Sequence, residues 1–136
     1  GNRDQIADLA SPGDAHLETW PDTLDKLRAL KPRALVPGRG PALTTPAQSE
    51  RAIRYTQDFV RRLYASARRG VAARKTLKQV YHATRRNMDR DYSKFPIYEH
   101  CIPFDVSRAY DEARGIKVPR IWTAKRDIEM WRDLQT

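Results

Sequence analysis

Leu24–Pro41 reads LDKLRALKPRALVPGRGP, and the order of its signals decides how the rest of the chain is read. Leu24, Leu27 and Leu30 extend a stripe from Trp20 at spacings of three and four, the period of one helix face. Lys31-Pro32 ends that helix, because proline disfavours an α conformation in the residue before it. Ala34-Leu35-Val36 is a brief apolar run between turn signals and suits a short buried strand. Pro37-Gly38-Arg39-Gly40-Pro41 is a tight loop, with two glycines that allow unusual backbone angles and two prolines that fix theirs. A glycine loop at the carboxyl end of a strand is where α/β proteins present functional groups.

The pattern W-x3-L-x2-L-x2-L-x-P-x3-V-P-G-x-G-P, from Trp20 to Pro41, resembles the last helix, strand and loop of the metallo-β-lactamase-fold hydrolases. In that family the loop is normally Pro-Gly-His-Gly, and its histidine binds zinc. Here the histidine position holds Arg39, whose guanidinium stays protonated and cannot coordinate a metal. The family's H-x-H-x-D-H ligand motif does not occur in the chain. The resemblance extends, with less detail, to Phe104–Glu112 and Pro119–Thr123, which look like the tail of one bacterial subgroup.

The resemblance implies a carboxyl-terminal segment. Residues 1–44 would be the end of an αββα sandwich and residues 45–136 a carboxyl-terminal helical region. The expected class is mainly α with one short strand. The intact protein would use zinc-bound hydroxide on an ester, thioester or lactam-like bond. Zinc belongs to that parent, with none expected in this segment, which is not catalytic by itself. The expected partner is the amino-terminal half of the same chain, in keeping with a start at Gly1 rather than methionine. Pro37, Gly38, Arg39 and Gly40 would form the active-site loop, with Arg39 and His100 touching substrate. Arg39 could hold an anionic substrate or a carboxylate of its own chain, leave a site with a single zinc that activates water, or mark a loop that has lost catalysis; the residues leave these readings open.

Composition sets the remaining bounds. The chain has 136 residues, 32% of them charged, and a mean hydropathy of −0.78. Its one cysteine, Cys101, excludes an intrachain disulfide and any multi-cysteine zinc site. His16, His82 and His100 form no ligand pair at close spacing. No apolar run is long enough to span a bilayer, and no signal-peptide pattern is present. Nucleotide-binding and Ser-His-Asp signatures are absent too.

Beyond the loop the pattern is helical. Thr45-Pro46-Ala47-Gln48 is a capping box with proline in the first turn, starting a helix that should run to Arg69 and stop at Gly70. Ala52, Thr56, Phe59, Leu63 and Ala67 give it one face, widened by Ile53 and Val60. Thr76 should cap a second helix to about Asp91, antiparallel to the first across a short turn. Tyr92–Phe104, broken by Pro96 and Pro103, has no clear period. Asp105 is expected to cap a helix over Val106–Arg114, and Thr123 a last one whose Ile128, Trp131 and Leu134 face inward.

The formal net charge of +9 is concentrated. Residues 51–90 hold twelve lysines and arginines against Asp58 and Asp89, a net of +10. The first reading is a solvated arginine-rich face. The alternative functions are a basic helical module that binds nucleic acid, weakly and without sequence preference, and a helical self-association segment.

Overall fold

The computed structural model describes residues 15–38 and 40–136. The expectations for the lead-in Gly1–Gly13 and for Arg39 fall outside these residues. Within them are five helices: α1 (Trp20–Ala29), α2 (Pro46–Ala72), α3 (Leu77–Tyr92), α4 (Tyr98–Ala113) and α5 (Ala124–Gln135). The chain is mainly α, as expected. No described helix is long and apolar enough to cross a membrane.

The anticipated short strand does not form. Leu35 and Leu43 make one isolated antiparallel bridge, each N–H donating to the other's carbonyl at 2.8 Å. The next pairing positions on both sides are blocked. Pro37 and Pro41, opposite one another inside the loop, carry no N–H. Thr45, opposite Arg33, is committed to the start of α2: its N–H donates to Gln48 Oε1 at 3.1 Å and its carbonyl accepts from Ser49. The ladder therefore stops at one rung, among described residues that contain no sheet.

α2 is organised by local rules that the sequence states openly. Thr45 and Gln48 complete a reciprocal capping box, and Thr76 and Gln79 do the same for α3. Each such cap contributes about 1 kcal/mol. Phe59, Val60, Leu63 and Ala67 of α2 are buried against Val80, Met88 and Tyr92 of α3 and Ile102, Val106 and Ala109 of α4. Full burial of each large side chain contributes about 1.5–3 kcal/mol. Tyr55 and Phe59 meet Tyr92 at one end, and Ser66 accepts from Thr84 at 2.8 Å further along, so α2 and α3 are antiparallel.

Gly70 does not end α2; the helix continues to Ala72. The glycine is needed inside it, because a Cβ there would lie 2.3 Å from Val80 Cγ2. α4 begins seven residues before the expected Asp105 cap and carries Pro103 in its interior. Its face Tyr98, Ile102, Val106 and Ala109 is buried, and that packing outweighs the missing hydrogen bond at proline. Asp105 is consequently mid-helix and fully buried.

α5 is rotated from its expected setting. Arg126, Met130 and Leu134 face inward, while Ile128 and Trp131 are 69% and 45% exposed. The bonds of Arg126 to Ser107 and Asp111, both at 2.9 Å, fix that rotation. At the other end, α1 is held to α2 by Gln57, whose amide donates to the Pro21 carbonyl and to Asp25, both at 2.8 Å.

Candidate functional site

α1 ends where Lys31 takes a left-handed conformation, φ 50°, before Pro32. The chain then crosses to the Leu35–Leu43 bridge, which closes the loop containing Pro37, Gly38 and Gly40. Gly40 has φ 93°, a conformation costly for any residue with a Cβ. Gly38 and Gly40 are exposed and Pro37 is half-buried. The bridge thus presents the loop at the surface, beside the carboxyl end of α1 and the amino end of α2.

Between those two helix ends lies a groove of about 620 Å³, lined by Asp25, Arg28, Lys31, Glu50 and Ile53 among others. Arg28 dominates it. Its guanidinium lies 3.3 Å from Asp25 and 3.5 Å from Glu50, and it donates to Gln57 Oε1. Its Nε is buried without a hydrogen-bond partner. Two acids and two bases line this groove, so it carries no strong selectivity for either sign of charge.

His100 sits elsewhere. It is exposed in the first turn of α4, with its ring 5.8 Å from that of Phe104. Among the described residues it makes no bond to the loop. Arg39 lies outside the described residues, and the expectation that it and His100 meet one substrate lies outside them with it.

The described residues do not fit a zinc site. No group of three or more His, Cys, Asp or Glu among them could hold a metal ion. His16, His82 and His100 are exposed on three separate stretches of chain.

A second constellation, which the sequence reading missed, lies on α4. Arg108 is 2% exposed and donates to the carbonyls of Ala15, Ile116 and Lys117 at 2.8–3.0 Å. Glu112, one turn on, pairs with it at 2.9 Å and accepts from the N–H groups of Leu17 and Glu18, both at 2.9 Å. This pair clamps the segment before α1 and the segment after α4 to one helix face. Asp111 receives Arg120 in a fork of 2.7–2.9 Å bonds and Arg126 at 2.9 Å. The Arg126 guanidinium lies over Trp122, 4.9 Å from the ring centre, and burial lowers its pKa against the opposing pull of Asp111. The only advance signal was Arg108 and Glu112 at i,i+4; their distant partners are backbone groups, which no sequence pattern names.

Asp105 lies on the same helix. Its carboxyl is fully buried, with Oδ1 lacking a hydrogen-bond partner, and burial raises its pKa well above the usual carboxylate range. Such a group keeps its proton to higher pH than an ordinary carboxyl. Tyr92 and Tyr98 are also pushed up, by burial first and then by donating to Asp58 and Asp89. These phenols are structural donors rather than bases.

No protein-family model matches this chain, and no curated protein matches it in sequence.

Proposed function

We propose that this chain is the carboxyl-terminal segment of a metallo-β-lactamase-fold hydrolase that cleaves an ester, thioester or lactam-like bond. The observation that carries this reading is the surface around the Leu35–Leu43 bridge. Leu30 and Val36, which flank the segment leading into it, are 76% and 81% exposed. Apolar side chains of this size beside an unextended bridge suit a unit that docks on a sheet supplied by another part of the protein. The motif from Trp20 to Pro41 supplies the identity of that sheet by resemblance.

In this reading the segment does not perform the chemistry. Zinc and its ligands belong to the amino-terminal half, and the loop at Pro37–Gly40 closes one side of the cleft. Arg39 is a fixed cation there, suited to an anionic group of the substrate. The α4 clamp through Arg108 and Glu112 anchors the helical region to the segment that leads into α1. Catalysis by the natural full-length product tests the proposal. Hydrolysis of an activated ester, an acyl thioester or a chromogenic lactam should vanish with a chelator and return with zinc. A zinc-loaded product that turns over none of the three would refute it.

A further inference from the structure

α3 buries Leu77, Val80, Thr84, Met88 and Tyr92. The opposite side of the same helix carries Gln79, His82, Arg86 and Arg90 at intervals of three and four, continued by Lys75 just before the cap. All five are exposed, and no acidic residue lies on that line. The carboxylates of α3 are turned to its flanks and occupied. Asp89 accepts from Arg85 at 2.7 and 2.8 Å and from Tyr98 at 2.9 Å, and Asp91 accepts from Arg62 at 2.7 Å. Arg69 of α2 extends the cationic surface. It lies on the same strip as Arg62 and Ser66, which bond Asn87 and Thr84 of α3, and it is exposed. Among the described residues Arg69, Lys75, Arg86 and Arg90 have no acidic partner.

The geometry points to this outer face of α3 as a surface that binds the phosphate backbone of a nucleic-acid duplex, a function separate from the hydrolase reading. From Lys75 to Arg90 the row spans about 22 Å at 1.5 Å per residue. A convex helix of that length with unneutralised cations matches the dense linear charge of a duplex, whose major groove is about 12 Å wide and admits a helix. Gln79 and His82 add hydrogen-bonding groups between the cations. No large apolar side chain lies on the row, so an anionic bilayer would gain charge pairing without insertion. Contact is to phosphates, which fix position but carry no sequence information.

The test is fluorescence anisotropy of the 136-residue chain on two unrelated duplexes of about 20 base pairs, at about 50 and about 200 mM salt. Four phosphate contacts predict a loss of affinity of roughly 150-fold between those salts, on both duplexes alike. Arg86→Ala with Arg90→Ala, both exposed and unbonded, should leave thermal unfolding unchanged and cut that loss to roughly 12-fold. Arg51→Ala with Lys125→Ala removes the same charge from other surfaces and should retain the wild-type slope. The proposal fails if the control pair flattens the slope as much, since net charge alone would then explain binding. It fails equally if neither duplex binds at the lower salt, or if phosphatidylserine vesicles retain the chain while duplexes do not.

Discussion

Replacing Gly70 with alanine tests the packing of α2 on α3 at its closest point. The added Cβ would lie 2.3 Å from Val80 Cγ2 and 3.4 Å from Val80 Cβ. Val80 is completely buried, so it has no free space to turn into. At an approach this close, overpacking costs about 2–3 kcal/mol, the upper part of its range. Alanine in a helix interior returns about 1 kcal/mol over glycine. The net expectation is a loss of about 1–2 kcal/mol, read as a fall in the urea midpoint at constant slope by circular dichroism. Val80→Ala alone should cost about 1.6 kcal/mol for its two methyl groups, plus a cavity term. In the double variant the methyl group introduced at position 70 enters space that the valine has left. The combined loss should therefore undercut the sum of the singles by about 1 kcal/mol. That coupling separates close packing from a helix-stop role, in which Gly70→Ala would destabilise but Val80→Ala would not rescue. A Gly70→Ala protein as stable as the wild type, or singles that simply add, would refute the reasoning.

Asp105→Asn should raise stability at neutral pH, because burial lifts the native carboxyl pKa above its unfolded value. The native state then holds the extra proton, so Asp105's contribution is full below about pH 3.9 and falls as pH rises through the native pKa. Urea midpoints of the two proteins should converge near about pH 4 and separate by about pH 8; a pH-independent difference would contradict this. Arg108→Met should cost about 3–5 kcal/mol by leaving Glu112 buried and unpaired, and Arg108→Met with Glu112→Leu should cost less than the sum of the singles. Calorimetric unfolding of the three variants checks it. The exposed Leu30, Val36, Ile121 and Ile128 predict self-association, seen as a scattering mass that rises with concentration and falls after Leu30→Ser with Val36→Ser.

What the sequence disclosed was mostly local. The capping box of α2, the Thr76 cap of α3, the apolar face of α2 and the antiparallel turn between α2 and α3 depend on residues close in the chain. The errors share one cause, which is contact between distant residues. Gly70 looks like a stop until Val80 is placed against it. Pro103 looks like a break until Tyr98, Ile102, Val106 and Ala109 are seen buried together. Ile128 and Trp131 look inward-facing until Arg126 is drawn to Asp111. The strand at Leu35 fails for a reason already written at Pro37, Pro41 and Thr45, but only the register of the bridge shows that these three block it. The α4 clamp was hidden because a buried arginine bonded to carbonyls leaves no signature beyond its spacing from Glu112. The loop of Pro37, Gly38 and Gly40 lies at the surface, His100 is exposed on α4, and the expectation for Arg39 falls outside the described residues.

The coding sequence immediately upstream of Gly1 tests the proposed function most directly. Read in frame from the natural gene, it should continue without a stop into a stretch that carries H-x-H-x-D-H. An in-frame upstream region without that motif, or a start codon directly before Gly1, would contradict the hydrolase account.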